Sequence, residues 1–131
     1  MKVVLACGVF DLLHVAHIRH LKQARLMGDF LVVAVTKDKY VNKSGRPIIP
    51  ENERLEMVKS LQCVSQADLT RDSMDALNKW KPHIFVKGND YKRKGLLAEE
   101  VAFCKDHGVK IAYTNYNAQS TTKIVERIRI R

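Results

Sequence analysis

Apolar residues fall along the chain in two rhythms. Five short runs lack the spacing of a helix and read as strands: "KVVLAC" (residues 2–7), "DFLVVAVT" (29–36), a short "CVSQADL" (63–69), "HIFVKG" (83–88) and "VKIAYTN" (109–115). The near-continuous apolar character of the first two suits strands covered on both faces. Between the runs, apolar residues recur at three- and four-residue intervals. After Gly8 this pattern reaches Met27, with Ile18, Leu21, Ala24 and Arg25 at helical spacing and Gly28 in the place of a helix C-cap glycine. "PENERLEMVKSLQ" opens on Pro50 with acids in its first turn, as a helix start prefers. "DSMDALNKW" is stopped by Pro82, "GLLAEEVAFCKDHG" closes on Gly108, and "STTKIVERIRI" begins on Ser120 as N-cap.

Strand and helix thus alternate from end to end, with no repeat, low-complexity tract or linker. At 131 residues the chain is expected to be one domain over 1–131. The order predicts an α/β fold: a Rossmann-like, five-stranded parallel sheet with helices on both faces. Ligand sites in such sheets lie beyond the carboxyl ends of the strands, where the strand order reverses. His14 and His17, the "KGND" turn (87–90) and the "STT" turn (120–122) all follow predicted strands, so three distant segments converge on one edge.

Composition narrows the picture. No apolar run approaches the roughly 18 residues of a membrane span, and the start of the chain reads as a strand and not as a leader. Cys7, Cys63 and Cys104 are odd in number, widely spaced and in apolar surroundings, which points to reduced core thiols and a cytoplasmic setting. The net charge of +9 invites a nucleic-acid partner, but the basic residues are scattered and no aromatic platform accompanies them. A basic surface that attracts small phosphorylated substrates explains the charge equally well.

The candidate chemistry begins at "GVFDLLHVAH", residues 8–17. A helix starting near Leu13 or His14 offers free N–H groups and the positive end of its dipole to a phosphate. His14 and His17, three apart, share a helix face and would present imidazole N–H groups to the same anion. Gly8 would let a ligand approach the backbone. A plain helix cap is the competing reading of a first-turn histidine, and spacing alone leaves both open. A zinc pair is disfavoured, since nothing is placed to supply a third ligand, and His20, a turn further on, is read as surface.

The stretch "GVFDLLHVAH" resembles the G-x-F-D-x-x-H-x-G-H signature of the cytidylyltransferase-like nucleotidyltransferases. "KSGRPIIPENERLEMV" is similar to that family's K-G-x-x-R-P-x-x-P-x-x-x-R segment, and "VKGNDY" and "STTKI" follow in the family's order. The resemblance implies an HxGH-type nucleotidyltransferase in which a substrate phosphate attacks the α-phosphorus of a nucleoside triphosphate and pyrophosphate leaves. It implies that His14 and His17 hold the α-phosphate and leaving oxygens, and that Lys43 and Arg54 neutralise phosphate charge. Gly8, Val9, Phe10, Asp11, Ala16, Gly88 and Asp90 would line the nucleotide site, and Ser120, Thr121 and Thr122 would bind phosphate at the last helix. Magnesium (Mg2+) would accompany the pyrophosphate, no protein metal ligands being assigned, and a homodimer is implied.

"VKGNDY" with "GRPIIPENER" looks most like the adenylyltransferases that act on heptose 1-phosphate, which favours ATP over CTP and a phosphorylated sugar. Glycerol-3-phosphate cytidylyltransferases also end in S-T-T-K-I, but usually carry R-T-x-G-I where this chain has "NYNAQ". Archaeal-type FAD synthetases resemble the "RPIIPENERLEMV" part. Two departures stand out: Ala16 replaces the glycine between the histidines, and Val9 replaces a threonine or cysteine. Both leave the histidines in place, so a working enzyme is expected. The alternative from another class is a non-catalytic nucleotide or nucleic-acid binding module.

Overall fold

A computed structural model describes residues 1–42, 44–117 and 121–130. Strands β1 (Val3–Gly8), β2 (Phe30–Thr36), β3 (Gln66–Thr70), β4 (Ile84–Lys87) and β5 (Lys110–Tyr113) form one sheet in the order β3-β2-β1-β4-β5. Every pairing is parallel, with Ala6 of β1 opposite Val33 of β2 and Val86 of β4. The chain winds outward through β2 and β3, then returns to the other side of β1 with β4. The strand order therefore reverses between β1 and β4, which places the crevice of such sheets beyond Gly8 and Lys87.

The helices are α1 (Val15–Arg25), α2 (Glu51–Lys59), α3 (Ser73–Trp80), the single turn α4 (Tyr91–Lys94), α5 (Ala98–His107) and α6 (Thr121–Ile130). Successive strand residues alternate between two cores. Val4, Ala6, Val33 and Val35 meet Leu21 and Ala24 of α1 and Val58 of α2. Leu5, Val32, Ala34 and Phe85 meet Leu77 of α3 with Phe103 and Cys104 of α5. Leu5, Leu77 and Phe85 are fully buried, each worth about 1.5–3 kcal/mol of transfer free energy.

The five-stranded parallel sheet, the helix starts at Pro50 and Asp72 and the closure at Gly108 follow the hydrophobic pattern. Gly108 takes the left-handed conformation, φ 66°, that suits glycine. Gly28 has a different role from the predicted cap. Helix α1 ends at Arg25 with Leu26 as its cap, and a Cβ on residue 28 would lie 2.7 Å from Val4 Cγ2 and 2.8 Å from the Lys2 carbonyl. Gly28 is small so that β1 can pass. The segment from Cys63 to Ser65 precedes β3 as a turn, and α4 replaces part of the loop expected after "KGND". Cys7, Cys63 and Cys104 are free thiols, and burial pushes Cys7 up to about 12, far from a reactive thiolate. Among the described residues, no helix is long and apolar enough to cross a membrane.

Candidate active site

The loop leaving β1 is built on buried polar contacts. Phe10 (φ 54°) and Leu12 (φ 52°) adopt the left-handed conformation that non-glycine residues avoid. What holds them there is dense. The Phe10 ring is buried, and a Cβ on Gly8 would sit 2.9 Å from its Cε2 atom. Gly8 thus makes room for Phe10, where the sequence had suggested room for a ligand. The Asp11 carboxylate, 1% exposed, accepts hydrogen bonds from the Ile48 and Ile49 amides (2.9 and 3.0 Å) and from Arg46 Nε (2.7 Å). Burial alone would raise its pKa, but these donors outweigh it and hold the carboxyl below its usual range.

Arg54 continues the same scaffold. Its guanidinium is fully buried, with Nε donating to the Ile49 carbonyl (2.9 Å), Nη1 to the Val9 carbonyl (2.6 Å) and Nη2 to Asp38 Oδ1 (2.6 Å). Three of the residues predicted to meet the nucleotide therefore face inward: Phe10 fills core, while Asp11 and Arg54 tie the first loop to residues 38–49. The buried Arg54 guanidinium needs acceptors, and two backbone carbonyls and the Asp38 carboxylate supply them. Val9 supplies one of those carbonyls.

The two histidines come together as the sequence implied, and their pairing fixes their chemistry. His14 is the N-cap of α1 and His17 its third residue. His14 Nδ1 accepts from the Ala16 amide (3.1 Å), and His17 Nδ1 accepts from the His14 amide (3.2 Å). This is a capping box made of two imidazoles. A neutral ring whose Nδ1 accepts must carry its proton on Nε2, so both rings present Nε2–H as a donor. Burial lowers the His14 pKa and favours that neutral form. The rings lie 4.4 Å apart between centroids, and the Phe10 and His17 rings meet in a T-shaped arrangement, 5.7 Å between centroids. His14 Nε2 is buried and has no hydrogen-bond partner, a donor awaiting an acceptor. The Ala16 amide is already engaged by His14, so at this position the backbone organises the site instead of donating to a ligand.

Other loops meet this one at the same edge. His20, read from the sequence as surface, is 2% exposed: its Nδ1 lies 2.6 Å from Thr114 Oγ1, just beyond β5. Burial lowers its pKa to about 4, against a raising influence from Asp90. The Asn115 amide donates to Gln23 of α1 (2.9 Å), and the Asn89 amide to the Tyr116 carbonyl (3.0 Å). Gly88 is buried, its carbonyl accepting from the Tyr91 amide (3.1 Å). Asp90 Oδ1 is buried without a partner, while Oδ2 lies 3.4 Å from Lys94 Nζ. The segments after β1, β4 and β5 are thus cross-linked. Lys43 and Ser120 lie outside the described residues, as do the side chains of Thr121 and Thr122, whose backbone opens α6.

Sequence reading passed over Asp38, Arg46, Lys87, Glu100 and Thr114. Lys87 carried a signal, being a charge at the carboxyl end of an otherwise apolar strand. Arg46 carried one too, as the arginine before Pro47 in the "KSGRPIIP" segment, whereas nothing distinguishes Asp38, Glu100 and Thr114 from solvated residues.

A family model described as cytidylyltransferase-like matches residues 5–127. The chain belongs to that family. It is a nucleotidyltransferase. The bifunctional protein HldE of Pelobacter propionicus is 32% identical over 133 residues, a match that covers 97% of this chain and 27% of that protein. The chain thus spans about a quarter of the length of this curated relative. The FAD synthase of Ferroglobus placidus is 35% identical over 137 residues, covering 98% of this chain and 88% of the relative. The crystal structure of the lipopolysaccharide core biosynthesis protein from Thermoplasma volcanium is 37% identical and superposes with a TM-score of 0.76, covering 88% of this chain and 98% of that one.

Proposed function

We propose that this cytidylyltransferase-like protein transfers AMP from ATP to a sugar phosphate such as heptose 1-phosphate and releases pyrophosphate. The observation that carries the reading is the reciprocal capping of His14 and His17, which fixes both rings in the Nε2–H tautomer at the start of α1, with the buried His14 Nε2 still unpartnered, beside the strand-order reversal. An acceptor phosphate is already ionised, so the reaction needs no general base. Its barrier lies in charge that builds on the α-phosphoryl and leaving oxygens, and fixed N–H donors stabilise such charge without reorganising. His14 and His17 are positioned for that task, while Asp11 and Arg54 act as positioning residues that hold the loop in shape.

The similarity to HldE and to the T. volcanium lipopolysaccharide core biosynthesis protein favours a sugar-phosphate acceptor. The FAD synthase relative, matched over most of its length, supports FMN as a second acceptor class. Among the described residues no three His, Cys, Asp or Glu side chains gather to hold an ion. Magnesium accordingly enters this reading with the triphosphate substrate, whose oxygens bind it. A homodimer and a cytoplasmic setting, implied by the family resemblance and the reduced thiols, belong to the same proposal.

The test is pyrophosphate release with magnesium, crossing ATP and CTP with heptose 1-phosphate, glycerol 3-phosphate and FMN, and using His17→Ala as control. Release with ATP and heptose 1-phosphate that is lost in the variant supports the reading. Turnover of CTP with glycerol 3-phosphate alone, or of ATP with FMN alone, replaces the substrates. Silence with every pair, alongside salt-sensitive nucleic-acid binding, moves the protein to the binding class.

A further inference from the structure

A second set of buried charges lies at the carboxyl edge of the sheet, on the side of β4 packed by α3 and α5. Here a pocket of about 410 Å³ is lined by Ser73, Lys87, Tyr91, Lys94, residues 95–97 and Glu100. That volume falls within the roughly 300–1,000 Å³ typical of small-molecule sites. Lys87 ends β4, the strand beside β1, so the pocket flanks the same crevice as the histidines.

Its chemistry is mixed in a specific way. Lys87 Nζ lies 3.7 Å from Glu100 Oε2, with the two side chains only 12% and 3% exposed. The separation is beyond a direct hydrogen bond, so the two charges attract without satisfying each other. Glu100 Oε1 accepts from the Leu97 amide (3.0 Å), which fixes the carboxylate. Lys87 Nζ also sits 4.2 Å from the centroid of the Tyr91 ring, which fixes the ammonium. An ammonium with Lys94 at the rim suits a phosphate. A buried carboxylate beside it repels a bare anion but accepts from hydroxyl groups, and the Tyr91 ring offers a flat surface to the C–H face of a polyol.

We infer that this pocket is the acceptor subsite and that it selects phosphorylated polyhydroxy compounds, Lys87 meeting the phosphate and Glu100 the hydroxyls. The inference rests on the acceptor reading above and adds to it the residues that choose the acceptor. Lys87 and Glu100 are then specificity residues, distinct from the histidines that stabilise the reacting phosphoryl group.

The experiment measures KM for acceptor and for ATP separately in the wild type, Lys87→Met, Glu100→Gln and Lys94→Ala, with melting curves to verify folding. Losing a charged hydrogen bond to substrate predicts an acceptor KM raised roughly tenfold to a hundredfold in Lys87→Met, a smaller rise in Glu100→Gln, and a KM for ATP within about twofold of wild type. An unchanged acceptor KM in both variants, or a rise confined to ATP, overturns the assignment. Should Lys87→Met fail to melt cooperatively, Glu100→Gln and Lys94→Ala carry the comparison. If the wild type releases no pyrophosphate with any pair, the transfer reading fails separately. The pocket is then judged by titrating heptose 1-phosphate into isotope-labelled protein: amide shifts across residues 87–97 that vanish in Glu100→Gln sustain it, and their absence overturns it.

Discussion

The loops that leave β1 and β4 start from neighbouring strands, yet they treat buried charge in opposite ways. Around the β1 loop, Asp11 and the α2 residue Arg54 that bonds to the loop through the Val9 carbonyl are saturated by protein partners, three hydrogen bonds each, at 2.6–3.0 Å. After β4, Lys87 and Glu100 stand 3.7 Å apart and Asp90 keeps an unpaired oxygen. Saturated groups hold a shape, whereas under-satisfied groups invite a ligand. The β1 side is therefore the rigid wall on which the histidine donors are mounted, and the β4 side is the more receptive half.

The comparison can be broken most directly at Arg54. Arg54→Leu leaves two backbone carbonyls without their donors, at about 1–3 kcal/mol each, while water takes over the 42% exposed Asp38 side chain, so a stability loss of about 3–5 kcal/mol is expected in urea unfolding. A loss below about 1 kcal/mol would mean that the wall does not depend on this residue. The donors mounted on it come next. His17→Ala is expected to reduce kcat by roughly 10²–10³-fold, close to 3–4 kcal/mol of barrier, with about 1 kcal/mol of stability from the lost cap. A purely structural histidine would show the second effect without the first.

Acid sharpens the comparison from the other direction. Unfolded, His20 binds its proton near pH 6.5; folded, only near 4. Between those values the unfolded chain holds more protons, so stability falls as pH drops from 6.5 to 4, by roughly 3 kcal/mol. His14, shifted the same way, adds to the loss. Equilibrium unfolding as a function of pH should show this slope, and His20→Gln should flatten it. The smallest expected effect is at Ala16. Ala16→Gly should cost about 0.5–1 kcal/mol of stability through helix propensity, read as a drop in melting temperature. Turnover within about twofold of wild type is expected, because the residue-16 amide that engages His14 is kept.

The sheet, its helices and the meeting of the two histidines were legible in the sequence because they rest on periodicity and short-range spacing. The inward roles of Asp11 and Arg54 were not. A carboxylate and a guanidinium look alike in sequence whether they await a phosphate or satisfy amides and carbonyls of a loop some 35–45 residues away. His20 misled for the same reason: its hydrogen-bond partner inside the fold, Thr114, is 94 positions distant. Gly8 and Gly28 were identified as special, but the groups they make room for, the Phe10 ring and the Lys2 carbonyl, depend on how the chain returns in space.

The imidazole capping box has one more consequence. The two hydrogen bonds that fix the tautomers of His14 and His17 are also bonds of the first turn of α1, so the donors are set only while that turn is closed. Each fraying event frees both Nδ1 atoms and lets the rings exchange their proton positions. Solvent exchange at the Ala16 amide is thus a clock for the site, counting how often the protein steps out of the state in which it is poised to act.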